Sequence, residues 1–169
     1  DWFTGYDWYS PLDKTETATL EAYLAVGGRL WLSSQDALYY QADSELVRNY
    51  LGVQDYREDM IPSVAYGGDG ALGFQGAFEL AYPFRNFSDG VIPAGTATAE
   101  WYADGNQAIG LSHAGLDWKT IFLAFPFEAM PEAGRPELMS RMLGWLGWLG
   151  SSEWGASETH VAAGEVVTF

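Results

Sequence analysis

The chain has 169 residues, with 8 Lys+Arg against 23 Asp+Glu, a formal net charge of −15, and 48% hydrophobic against 18% charged residues. That apolar content excludes intrinsic disorder despite the acidity, and the charge, with no basic cluster to offset it, excludes nucleic acid as a partner. The absence of cysteine excludes disulfides, thiolate metal sites and a cysteine nucleophile, and no apolar run reaches the roughly 18–20 residues that insertion into a membrane as a helix needs.

In chain order, Asp1-Trp2-Phe3-Thr4-Gly5-Tyr6-Asp7 reads as the end of a strand running into an aromatic loop that closes at Pro11. A helix follows from Asp13 or Thr15. Its apolar stripe is Leu20, Tyr23 and Leu24, and Gly27-Gly28 stops it. Residues 29–34 then read as a buried strand. A second helix fits 43–51, with Asp43 or Ser44 as cap and Gly52 as stop. The stretch 53–95, with glycines at 67, 68, 70, 73 and 76, reads as turns and short irregular strands.

Strands 98–102 and 107–112 flank Ala103-Asp104-Gly105-Asn106, where Asp-Gly signals a hairpin, and 119–125 pairs with the strand before it. A last helix starts near Arg135, with Pro136 at its first position, and is apolar on more than one side. From Gly150 a serine-rich linker leads to a strand-like Val166-Val167-Thr168-Phe169. One strand cannot bury itself, so 150–169 reads as a linker and the first strand of a following β-sandwich, with 1–149 as the main domain. The opening at Asp1 without a full strand reads likewise as a fragment trimmed at both ends.

Ser33-Ser34-Gln35-Asp36 lies just past a strand end, where ligands of open α/β sheets bind. It lacks a Gly-x-Ser-x-Gly elbow and also suits an ordinary polar loop. Phe125-Pro126-Phe127-Glu128 places a carboxylate after the last strand, where it could orient a histidine or simply cap a turn or meet Arg135. The histidines are His113, at a strand end, and His160, in the tail. Ser34, His113 and Glu128 make a triad on paper, though nothing in their spacing selects them.

Oxygen ligands stand in the glycine turns Tyr66-Gly67-Gly68-Asp69-Gly70 and Asp104-Gly105-Asn106. Asp69, Asp104 and Asn106 are thus candidates for a weak calcium site, although neither turn matches the twelve-residue calcium loop; no other cofactor is indicated. Trp2 and Trp8 in the opening loop, and Tyr39-Tyr40, are candidates for stacking on a glycan or anchoring a partner domain, or for covering the core's rim. Asn86-Phe87-Ser88 is a formal glycosylation sequon.

The segments Trp2-Phe3-Thr4-Gly5-Tyr6-Asp7, Leu24-Ala25-Val26-Gly27-Gly28-Arg29-Leu30-Trp31-Leu32-Ser33-Ser34-Gln35-Asp36, Tyr50-Leu51-Gly52-Val53 and Phe125-Pro126-Phe127-Glu128-Ala129 resemble class I glutamine amidotransferase-like domains, in the form embedded in large secreted bacterial proteins. The resemblance implies a flavodoxin-like three-layer α/β fold with a mostly parallel sheet, antiparallel hairpins in its C-terminal half and a β-strand tail. Active members carry a cysteine in a Gly-x-Cys-x-Gly elbow and a Phe-His-Pro-Glu-like segment. Here Ser33-Ser34-Gln35 and Phe125-Pro126-Phe127-Glu128 stand in their places, so glutaminase activity does not carry over.

The expectation is a non-catalytic structural or binding domain of an extracellular or cell-surface protein. Its partners are neighbouring domains or subunits, and strand addition at an edge or through the tail could build a filament or layer. The alternatives are a serine hydrolase using Ser34, His113 and Glu128, and a carbohydrate-binding module.

Overall fold

A computed structural model describes residues 12–148. Helix α1 (Lys14–Ala25) is set by its first turn. The Asp13 carboxylate accepts hydrogen bonds from the Thr15 and Glu16 amides, and the Glu16 carboxylate accepts one from the Asp13 amide, which satisfies donors that a helix start leaves orphaned. At the other end Gly27 takes φ 97°, a left-handed turn that glycine makes without a Cβ clash.

The remaining elements are β1 (Arg29–Ser33), α2 (Ala37–Gln41), a π-helical turn (Leu46–Tyr50), β2 (Val53–Arg57), β3 (Val64–Gly67), β4 (Ala77–Glu79), β5 (Gly90–Pro93), β6 (Thr98–Tyr102), β7 (Ala108–Ala114), β8 (Lys119–Leu123) and α3 (Arg135–Leu146). Six strands form one curled, half-barrel sheet in the order β1-β8-β7-β6-β3-β4, while β2 and β5 make a separate two-stranded ribbon.

Alternation along the strands divides the core between the two faces of the sheet. Phe122 and Leu111 join Leu24, Leu46, Leu51 and Val91 on the side of α1 and the π-helical turn. Ile121, Leu123, Ile109 and Trp101 join Leu138, Met142 and Leu146 of α3 on the other. The carboxylate of Glu21 on α1 accepts the Leu46 amide at 2.7 Å, which fixes the π-helical turn against the helix.

The flavodoxin-like, mostly parallel three-layer arrangement is not what the chain adopts. Among the described residues only β1 and β8 run parallel; every other pairing is antiparallel. The physical reason lies in the connections. A parallel neighbour needs a crossover of a dozen residues or more, whereas β6–β7 and β7–β8 are joined by tight turns that can only reverse the chain. The helix expected over 43–51 is reduced to the π-helical turn, and α2 forms ahead of it. Helix α3 buries a single stripe, Leu138, Met142 and Leu146, rather than several sides. Trp2, Trp8, His160, the linker and the strand expected in the tail lie outside the described residues.

Candidate functional site

Strand register decides the fate of the candidate triad. His113 pairs with Thr120, and Thr120 pairs with Leu30, so His113 sits level with the start of β1. Ser34 follows the far end of β1, its amide bonded to the Leu123 carbonyl at 3.0 Å. Four residues of strand rise and two strand spacings put the two sites about 13 Å apart along the strands and about 10 Å apart across them. No proton passes directly over that distance. Glu128, in the turn after β8, lies at the Ser34 end; its backbone carbonyl accepts from the Arg135 guanidinium at 2.8 Å.

His113 is otherwise occupied. Its Nδ1 donates to the Tyr50 carbonyl at 3.1 Å, which leaves Nε2 to accept from the Thr96 hydroxyl at 2.8 Å. The ring also meets Trp118 edge-to-face at 4.9 Å. Burial holds the imidazole below its ordinary pKa of 6.5 despite the Tyr50 bond, so it is neutral at physiological pH and both nitrogens are engaged.

At the Ser34 end the working hydroxyl belongs to its neighbour. Ser33 Oγ donates to the Phe125 carbonyl at 2.9 Å and accepts from the Phe127 amide at 2.8 Å, stitching β1 to the turn after β8. The Gln35 side-chain amide accepts from Phe87 N and donates to the Arg85 carbonyl, both at 3.1 Å, as a neighbouring strand would. Asp89 beneath them is buried, its backbone amide bonded to Ala124 O and its carboxylate accepting from Asp59 N at 3.2 Å. Burial, with Asp36, Asp59 and Glu58 nearby, raises its pKa to about 7; burial and Asp59 raise that of Asp36. Asp59 and Ile61 hold positive φ beside this cluster, an unfavourable conformation for a β-branched residue. The Asn86 Nδ2 of the formal sequon is buried, so it is not presented for modification.

The two glycine turns converge. Asp69, from the loop after β3, and Asp104 and Asn106, from the β6–β7 turn, line one groove of about 880 Å³ together with Tyr66 and Tyr102. Tyr66 and Tyr102 are register partners on adjacent strands and so project side by side from one face. The Tyr66 hydroxyl donates to Asp104 Oδ1 at 3.1 Å, tying the two turns together; that bond, with the carboxylate's charge, raises the phenol's pKa above 10.0. Asp69 Oδ1 accepts from Gln75 Nε2 at 2.8 Å.

Glu100 is buried under this groove. Its carboxylate accepts from the Ala71 and Leu72 amides and the Ser112 hydroxyl, shaping the glycine loop from below. A Cβ at Gly70 would lie 2.2 Å from Glu100 Oε2, and one at Gly68 would lie 2.6 Å from the Tyr102 ring, so both positions require glycine. Among the described residues no group of three or more His, Asp or Glu side chains converges as a metal ion would require, and the calcium candidates Asp69 and Asp104 already accept from side-chain donors.

Tyr39 and Tyr40 are 61% and 40% exposed and line a second groove of about 580 Å³ with Glu21, Arg48 and Tyr56. Their rings meet at 83° with centroids 4.9 Å apart, so they form an edge-to-face pair and not one flat platform. Asp89, Glu100 and Tyr102 were not among the residues the sequence singles out, and Ser33 appeared there only within the Ser33-Ser34-Gln35-Asp36 segment. A usable signal was the placing of tyrosines directly before both glycine turns, Tyr66 ahead of Gly67-Gly68 and Tyr102 ahead of Ala103-Asp104-Gly105.

No family model matches the chain, and no curated protein does. Solved structures do. The cytoplasmic protein STM3548 from Salmonella typhimurium superposes with a TM-score of 0.57 at 13% identity, over 85% of this chain and 64% of that one. A β-galactosidase from Rahnella sp. R3 gives 0.56 at 12% identity, over 78% of this chain and 20% of the enzyme. The N-terminal domain of mmIFT52 gives 0.54 at 13% identity, over 84% and 75%. The chain thus spans under two thirds of the Salmonella protein and a fifth of the β-galactosidase. At such identities the likeness extends to the fold and no further.

Proposed function

We propose that this chain is a non-catalytic binding or architectural domain of an extracellular or cell-surface protein. The observation that carries this reading is the separation of Ser34 from His113 by the full length of β1, with both imidazole nitrogens already bonded. A serine nucleophile needs a base within hydrogen-bond reach, and among the described residues Ser34 has no histidine near it. The occurrence of this fold as a fifth of a much longer β-galactosidase chain supports a role as one domain among several. Placement outside the cell rests on the acidic, aromatic-rich composition: net charge −15 and 16% aromatic residues.

The test is covalent. A fluorophosphonate probe labels serines activated by a base, and mass spectrometry of the treated protein should show Ser34 unmodified. Labelling of Ser34 that disappears in both Ser34→Ala and His113→Ala would overturn the reading in favour of a hydrolase.

A further inference from the structure

We infer that the groove over β3 and β6 is a binding site for a neutral carbohydrate chain, with Tyr66 as its stacking surface and Asp104, Asn106 and Asp69 as its hydroxyl partners. This deepens the non-catalytic binding role, on which it rests. The groove is open, and its volume of about 880 Å³ falls within the range of about 300–1,000 Å³ found for small-ligand sites.

Its lining selects the ligand class. Among the described residues two carboxylates, Asp69 and Asp104, line the groove, and no Lys, Arg or His does. A phosphate, sulfate or uronate would meet uncompensated negative charge, so anionic ligands are disfavoured. A purely hydrophobic ligand would cover the apolar part of the lining, Pro93, Ala97, Ala99 and Ala103, but would also have to desolvate two carboxylates without giving them a donor. A neutral sugar suits both features. Its C–H face packs against a tyrosine ring, and its hydroxyls donate to carboxylate oxygens, where charge-assisted bonds are the stronger kind.

The polar groups are placed for this. Tyr66 is 42% exposed, so its ring is accessible. Its hydroxyl bonds Oδ1 of Asp104, and Gln75 bonds Oδ1 of Asp69, so among the described residues neither Oδ2 takes part in these bonds. The side-chain amide of exposed Asn106 adds a donor and an acceptor within the same turn. Glycines at 67, 68 and 70 let the loop pack directly on Phe74, Tyr102 and Glu100, which holds its backbone in one place.

The site is also preorganised. Buried Glu100 holds the loop at 70–72 by two hydrogen bonds and is itself fixed by the Ser112 hydroxyl, and the Tyr66–Asp104 bond locks one wall to the other. A fixed groove loses little conformational freedom on binding. Tyr39 and Tyr40, though more accessible in part, present crossed rings and share their groove with Lys14 and Arg48.

The experiment titrates the full chain with neutral hexasaccharides (cello-, manno-, xylo- and maltohexaose), with polygalacturonate and with oligolysine, by calorimetry and saturation-transfer NMR. The expected result is binding of at least one neutral hexasaccharide at sub-millimolar Kd, weakened about tenfold or more by Tyr66→Ala, the equivalent of about 1.4 kcal/mol. Asp104→Asn should also weaken it, whereas Tyr39→Ala/Tyr40→Ala should leave it unchanged.

Unaltered circular dichroism and melting of Tyr66→Ala, at an exposed position, separates lost binding from lost folding. Silence of every neutral sugar overturns the inference, as does a preference for polygalacturonate or oligolysine. Loss of binding on adding EDTA overturns direct recognition in favour of an ion-bridged site. The fluorophosphonate result is independent of all these outcomes, so failure of the sugar site and failure of the non-catalytic reading are distinguishable.

Discussion

Replacing Asp89 by Asn should stabilise this protein, and only on one side of a pH window. Asp89 is 3% exposed and its pKa rises from 3.8 to about 7, through burial first and through the nearby charges of Asp36, Asp59 and Glu58. Below about pH 4 the carboxyl is protonated in both the folded and the unfolded chain, and its burial carries no ionic penalty. As pH rises towards 7 the unfolded chain releases the proton while the folded chain retains it, so stability falls across that interval and levels off above it. At about 1.4 kcal/mol per pH unit, the ceiling on the loss is about 4 kcal/mol. Asp36, whose pKa is also raised by burial and by Asp59, adds a slope of the same sign. Asparagine keeps an oxygen to accept the Asp59 amide and has no proton to lose. Urea unfolding followed by tryptophan fluorescence should find Asp89→Asn about 2–4 kcal/mol more stable than the wild type near pH 8, and within about 0.5 kcal/mol of it near pH 4. A difference independent of pH, or a variant weaker at pH 8, would refute the assignment of a buried, proton-retaining carboxyl.

Three further perturbations test the local geometry. Ser33→Ala should cost about 1–3 kcal/mol, because it leaves the Phe127 amide without its acceptor. Ser34→Ala should stay within about 0.5 kcal/mol; thermal melts of the two side by side decide which serine matters. Gly70→Ala forces a methyl onto the Glu100 carboxylate and should destabilise by about 1–3 kcal/mol, with loss of the Ala71 and Leu72 amide protection seen by hydrogen exchange. The imidazole of His113 should titrate below 6.5 in an NMR pH series; a midpoint above 6.5 would mean that burial does not outweigh the Tyr50 bond, which acts in the opposite direction.

What the sequence disclosed is what neighbouring residues decide. Asp13 and Glu16 cap α1 across one turn, Gly27 ends it, and Asp104-Gly105 turns β6 into β7 over five residues. Pairing partners are a different matter. Nothing within 29–33 states that these residues will lie against 119–123, and the short links after residue 97 were the better guide to an antiparallel sheet than the helix-then-strand unit at 14–33 was to a parallel one. Five residues of α2 are too few to show a helical period. The groove was half legible. Its glycine turns could be named as ligand-bearing loops, but their convergence depends on the Tyr66–Tyr102 register. Glu100 would pass in a sequence for an exposed strand residue, since nothing local reveals the loop folded over it.

The single parallel joint has a kinetic consequence. Strands β6, β7 and β8 are neighbours in sequence as well as in space and can pair as soon as their turns close. The joint between β1 and β8, stitched by the Ser33 bond to Phe125, unites residues 92 positions apart. Contacts of such separation carry the larger closure entropy and slow folding. The C-terminal meander should therefore acquire protection first and the α1–β1 segment should dock onto it last. Until it does, the β8 backbone presents an unpaired edge beside Ile121, Phe122 and Leu123, all fully buried in the finished fold and prone to association while exposed. In pulse-labelled exchange during refolding, β7 amides that bond to β8 should be protected before the Leu32 amide; simultaneous protection would show that the two halves assemble in one step.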